Sequence, residues 1–234
     1  MEPIPSPGIQ PGESEVAMAH ASKKDIVGHL LEKYGRTYCD ELGIDIEKNT
    51  PSPLFRWLIA SLLFSARIGA QQAVKAAKAL SDAGWTTPEK MAEATWKQRV
   101  DVLNRNGYAR YDESTSRMLE DASRHLLEKY DGDLRRLREM ADGDEMRALN
   151  LLTEFKGIGE TGAYIFLREA QAAWDEFYPF ADRRSLEAAG KIGLGEDAKT
   201  LSALVPRKDF PHLVTALLRA DLDGNLDQIA DEAA

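Results

Sequence analysis

The sequence predicts an all-α protein, and three observations carry that expectation. Phe55, Leu58, Ile59, Leu62 and Leu63 fall at i, i+3, i+4, i+7 and i+8, the spacing of one buried helix face, and similar spacing recurs through most of the chain. No segment shows sustained alternation of apolar and polar residues between turn signals, as a half-buried strand would. Helix starts are also marked. In Thr86-Thr87-Pro88-Glu89, Thr87 is suited to cap a helix and Pro88 to open it, where its missing N–H costs nothing.

Residues 1–15 are rich in Pro, Gly and Ser and are expected to be disordered, within a tail of residues 1–22. Residues 25–38 read as a helix, and Asn49-Thr50-Pro51-Ser52-Pro53 breaks the pattern. Gly69 interrupts the helix that follows, and residues 71–80 resume with Val74, Ala77 and Leu80 on one face. Further helices are predicted over residues 96–104, 114–129, 134–140 and 144–154. Leu119, Ala122 and Leu126 mark the inner face of the longest of these. Residues 160–173 follow a glycine turn with Ala163, Phe166, Leu167 and Ala170 on one side. Two shorter helices are predicted over residues 183–191 and 211–219.

A chain of 234 residues is one large domain or two small ones, long enough for a substantial core. No stretch approaches the roughly 18 apolar residues of a membrane span. Residues 1–16 lack the basic start and apolar run of a secretory signal. The single cysteine, Cys39, excludes an intramolecular disulfide and a cysteine-ligated cluster, and with the missing signal it points to the cytoplasm. His20, His29, His125 and His212 show no metal-ligand spacing, so neither a metal nor a cofactor is expected.

The net charge of -9 runs against a nucleic-acid binder. Its distribution softens the objection. Glu2, Glu13 and Glu15 at one end, and Asp221, Asp223, Asp227, Asp231 and Glu232 at the other, stand without a basic neighbour. Between these ends the chain is near neutral, which leaves room for a local basic face. The simpler reading is that acidic ends aid solubility.

Chemistry is suggested by Phe155-Lys156-Gly157-Ile158-Gly159-Glu160-Thr161-Gly162-Ala163 and by Asp182 beyond the next helix. A Gly-apolar-Gly turn lets two helices meet sharply and exposes backbone N–H groups where a phosphate can sit. The same glycines would equally suit an ordinary tight turn. Asp182 directly precedes a predicted helix, whose N-terminus favours an ionised carboxylate. Aspartate is also among the best helix caps, and the two roles are compatible.

The order of these elements resembles the helix–hairpin–helix DNA glycosylases related to endonuclease III. Leu58-Ile59-Ala60-Ser61-Leu62-Leu63-Phe64-Ser65-Ala66-Arg67 is similar to the family's early core helix and the turn leaving it. Asn106-Gly107-Tyr108 before the next helix, Phe155-Lys156-Gly157-Ile158-Gly159 in place of Leu-Pro-Gly-apolar-Gly, and Phe180-Ala181-Asp182 follow in register. The likeness spans residues 55–194. It implies two helical lobes with a cleft between them: residues 53–173 ending in the hairpin, and residues 23–52 with 174–234.

By that resemblance Asp182 is the catalytic carboxylate. Gly157, Ile158, Gly159, Thr161 and Gly162, with Lys156, hold one DNA strand. Arg67 occupies the turn from which relatives fill the gap left by an extruded base. Arg183 and Arg184 stand where the family often has Thr-His, and they either bind phosphate or project into solvent. Tyr38, Trp57, Tyr108, Tyr111 and Tyr164 are expected mainly in the core, whereas Trp174, Phe177 and Tyr178, in the loop before Asp182, are the expected base pocket. Thr161 replaces the lysine that relatives use to attack the sugar, so a monofunctional enzyme is implied. The implied partner is double-stranded DNA with a damaged or mismatched base, bound by a monomer away from membranes (at the nucleoid if the source is bacterial). The alternative is a helix–hairpin–helix protein that binds DNA structure without catalysis.

Overall fold

A computed structural model describes residues 22–66 and 68–233. Nearly all of the expected tail at 1–22 lies outside the described residues, as does Arg67. The described residues form 14 α-helices and no strand. The first six are α1 (Lys23–Tyr34), α2 (Tyr38–Leu42), α3 (Pro51–Phe64), α4 (Ala70–Asp82), α5 (Pro88–Glu93) and α6 (Trp96–Leu103). They are followed by α7 (Asp112–Tyr130), α8 (Leu134–Ala141), α9 (Glu145–Thr153) and α10 (Glu160–Ala170). The chain closes with α11 (Arg183–Lys191), α12 (Ala198–Ser202), α13 (Phe210–Leu222) and α14 (Leu226–Glu232). No described helix is long and apolar enough to cross a membrane.

Local chemistry sets most of the boundaries. Thr87 caps α5 by accepting from the Lys90 N–H, with Pro88 at the first position. The single helix expected over residues 25–38 is two helices, because Thr37 starts a new one. The Thr37 side chain accepts from the Asp40 N–H, and the Asp40 carboxylate accepts from the Thr37 N–H. This reciprocal box satisfies two donors that an uncapped start would leave open. The predicted helix over 160–173 stops at Ala170, and Gln171 ties the chain beyond it by accepting from the Phe180 N–H at 2.9 Å.

Two apolar cores result. The larger is built mainly from α3, α4 and α7 to α10, with Leu54, Phe55, Trp57 and Leu58 almost fully buried. Burying side chains of this size contributes roughly 1.5–3 kcal/mol each, as an upper estimate. Trp57 also ties α3 to α10, its indole N–H donating to the Phe166 carbonyl at 2.9 Å. The smaller core joins α1, α11, α13 and α14 through Leu30, Ala188, Leu213, Leu217 and Ile229. Tyr38, Leu42, Ile44 and Ile46 belong to the larger core, as do Trp174, Phe177 and Phe180. A division at residues 52 and 174 would assign all of these to the smaller lobe.

The two cores are fastened across α2, α10 and α13. The Glu169 carboxylate on α10 accepts from the Tyr38 and Cys39 N–H groups at 2.9 and 2.7 Å, at the start of α2. Burial pushes the Glu169 carboxyl up, and those two bonds only partly offset it. From α13, Leu218 enters the larger core and Arg219 lies 3.9 Å over the Tyr38 ring.

Candidate active site

The hairpin between α9 and α10 is held by what it buries. Phe155 stacks on Tyr130 with ring centroids 5.8 Å apart, and His125 meets it edge-on at 4.7 Å. Ile158 is buried on the other side of Gly157. Gly157 has φ +92, and a Cβ there would lie 2.9 Å from Met118 Sδ and 3.1 Å from Leu62 Cδ1. Only glycine fits such a position. Gly162 is also packed, since an added Cβ would approach Ile158 Cγ2 to 3.1 Å.

Gly159 is different. Its φ of -92 suits any residue, and an added Cβ would meet nothing within 4 Å. It is the N-cap of α10 and has no side chain to offer, so no side chain caps the first turn of that helix. The N–H groups that begin α10 are therefore free of the usual capping acceptor. Thr161 is exposed beside them, and Lys156 is exposed one turn before.

The carboxylate is built in the opposite manner. Asp182 is the N-cap of α11 and is 7% exposed. Oδ1 accepts from the Arg184 and Ser185 N–H groups at 3.1 and 3.3 Å, and Oδ2 accepts from Ser185 Oγ at 3.0 Å. Arg168 Nε, from α10, donates to Oδ2 at 2.7 Å. Burial pushes the Asp182 carboxyl up. The Arg168 guanidinium and the bonds from Arg168 and Ser185 outweigh it and hold the group below the ordinary aspartate value. Asp182 is thus an ionised carboxylate whose four or so lone-pair positions are already engaged.

Both features open on one cavity of about 600 Å³. Asp182, Arg168, Thr161 and Glu160 line it, with Arg183 and Arg184 beside them. Phe64, Ile165 and Leu218 form an apolar side. The fold therefore brings Thr161 and Asp182 to one space. Ile158 is buried, and Gly162 is buried and carries no side chain, so neither offers a side chain to a partner at the hairpin. Arg183 pairs with Glu187 at 3.0 Å, and Arg184 with Asp221 at 3.0 Å. Such exposed pairs are weak and exchange readily. The expectation for Arg67 falls outside the described residues.

The expected base pocket is corrected. Trp174 and Phe177 do not line the cavity but are buried in the larger core. Trp174 lies 5.3 Å from Phe166, and its indole N–H donates to Asn49 Oδ1 at 3.1 Å. A 3₁₀ turn at Asp175–Phe177 directs both rings inward, which flanking polarity did not reveal. Tyr178 meets Phe210 of the smaller core edge-on at 5.4 Å and lies beneath Arg207. The aromatic residues of the cavity are Tyr38, Phe64 and Tyr164. Arg168 and Glu160 were also missed. The one available signal was Arg168-Glu169, two charges inside the apolar stretch of α10.

No family model matches the sequence, and no curated protein matches it. Among solved structures, the fold is similar to that of an endonuclease III in a non-covalent complex with DNA. The TM-score is 0.53 at 18% identity, over 85% of each chain. A second endonuclease III structure, a trapped covalent intermediate with DNA in an estranged-adenine complex, matches at a TM-score of 0.48 and 18% identity, again over 85% of each chain. The chain is thus an all-α protein with an endonuclease III-like fold.

Proposed function

We propose that the protein is a DNA base-excision glycosylase, acting as a monomer on double-stranded DNA that carries a damaged or mismatched base, and that it is monofunctional. One observation carries the reading: the ionised Asp182, Thr161 and the uncapped start of α10 border a single cavity. A DNA phosphate would sit at the α10 N-terminus, where N–H groups and the helix dipole favour an anion. One nucleotide would turn out into the cavity. Likeness of fold to an endonuclease III bound to DNA supports this placement.

As the N-glycosidic bond breaks, its electron pair leaves with the base and positive charge builds on the sugar. A fixed carboxylate stabilises that charge. Because its oxygens are engaged, Asp182 acts in this reading as a held negative charge and not as the group that takes a proton from water. Water then adds to the sugar carbon and its proton ends on the departing base or in solvent, leaving an abasic site. Thr161 offers no amine for a Schiff base, so the strand stays intact.

A second reading has its own support. Arg168 Nε, 2.7 Å from Asp182, offsets the charge that the sugar would feel, which favours a protein that binds DNA structure without excision. Duplexes bearing oxidised, deaminated, alkylated and mispaired bases separate the two, run with and without alkali on wild type and Asp182→Asn. Strand breaks seen only after alkali and lost in the variant are expected. DNA binding without base release on every duplex establishes the second reading. Breaks before alkali with a borohydride-trappable adduct would overturn the monofunctional assignment.

A further inference from the structure

Besides Asp182, two polar side chains line the cavity while being almost wholly buried: Tyr38 and Arg168, each 3% exposed. Arg168 commits Nε to Asp182, yet its terminal Nη1 and Nη2 groups have no hydrogen-bond partner among the described residues. Tyr38 is clamped by its surroundings. Its N–H is held by Glu169, Phe64 lies 4.6 Å from its ring and Arg219 lies over its face. Its hydroxyl, too, bonds to no described residue.

Neither group is sealed off from solvent, unlike the unpartnered Tyr130 hydroxyl. With the rest of each residue enclosed, the cavity is where these donors open. Three other large polar-tipped side chains of the core are bonded within the fold. The Tyr108 hydroxyl donates to the Leu63 carbonyl at 3.0 Å, and the Trp57 and Trp174 indoles are both bonded. Donors this deep are normally paired.

Building on the glycosylase reading, we propose that Arg168 and Tyr38 are the specificity-determining end of the cavity, and that the base they accept presents carbonyl oxygens. A guanidinium only donates and never gives up its charge. Its terminal nitrogens and the Tyr38 hydroxyl can each donate to a carbonyl oxygen. An amino-edged base would set donor against donor, and a positively charged N-alkylated base would face a fixed cation. Uracil and 8-oxoguanine therefore fit this end, and adenine and N7-methylguanine do not.

The test uses the full chain and labelled duplexes that each carry one of those four bases, measuring both Kd by anisotropy and base release after alkali. Wild type is expected to bind the two keto-edged duplexes about tenfold more tightly than the other two. Tyr38→Phe removes one oxygen and keeps the ring between Phe64 and Arg219. It is expected to erase about fivefold of that preference. Arg168→Lys keeps the charge but loses the planar pair of donors, and is expected to erase most of it. A wild-type preference for adenine or N7-methylguanine, or no preference at all, overturns the proposal. So does a Tyr38→Phe protein of native circular dichroism with the preference intact. Keto-selective binding with no base release from any duplex sinks the glycosylase reading and leaves this recognition end standing. Base release that ignores Tyr38 and Arg168 does the reverse.

Discussion

The cavity has two sides built on opposite principles. At the hairpin, Gly159 leaves open space before the start of α10, and no side chain occupies the helix terminus. At the opposite side, Asp182 has met its electrostatic needs within the protein, from Arg168, Arg184 and Ser185. The first side is unsatisfied until a partner arrives, and the second is satisfied in its absence. An incoming phosphate would therefore contribute binding at the hairpin. A sugar beside Asp182 would meet a preset charge that needs no rearrangement to act. The glycines of the turn divide along the same line, Gly157 serving the fold and Gly159 leaving room.

The largest way to break this comparison is to remove the partner of Asp182. Arg168→Met leaves a buried carboxylate uncompensated and is expected to cost about 3–5 kcal/mol in urea unfolding. Adding Asp182→Asn should recover a large part of that loss. No recovery would mean that Arg168 stabilises by packing and not by charge. Next in size, Gly157→Ala is expected to cost about 1–3 kcal/mol, because the left-handed backbone and the Met118 and Leu62 contacts both oppose a methyl group. Gly159→Ala should stay within about 0.5 kcal/mol of wild type yet weaken DNA binding. Equal stability losses at the two glycines would mean that Gly159, like Gly157, is held by the fold.

Acid gives a further test. The folded protein holds the Asp182 carboxyl below its ordinary value, so the unfolded chain takes up the proton first as pH falls. Its stabilising contribution is present above the unfolded aspartate value of about 3.9 and is lost as pH drops below it toward the folded value. Asp182→Asn should flatten that part of a plot of melting temperature against pH, and an unchanged slope would place the acid sensitivity elsewhere. The smallest expected effect is at Lys156, exposed beside the hairpin. Lys156→Ala should lower the salt dependence of DNA binding by about one unit of slope while leaving stability within about 0.5 kcal/mol. A larger stability change would assign Lys156 to the fold.

Much of the helical framework was legible because its causes are local. The apolar face of α3 and the Thr87-Pro88 start of α5 each depend on residues within a few positions of one another, and the turn at Gly157 depends on the left-handed backbone of a single residue. The division between α1 and α2 was readable in principle from Thr37 and Asp40, but the apolar pattern running through it hid the box. The helix α14 escaped because Leu226 and Ile229 are its only buried apolar residues in an acidic stretch. Asp182 stood out by its place before a helix, and its cap is local in the same sense.

By itself, then, the sequence determined that this protein is helical, where its glycine turn falls and which carboxylate heads α11. Periodicity, capping and backbone conformation are properties of neighbouring residues. Only the tertiary structure decided what surrounds that carboxylate. It turned Trp174 and Phe177 into the core, and it brought Tyr38 from α2, Arg168 from α10 and Asp182 from α11 to one cavity. The physical reason is that a side chain's exposure and its electrostatic partners depend on how distant segments pack. Spacing along the chain says which face of a helix is apolar, not what that face will meet.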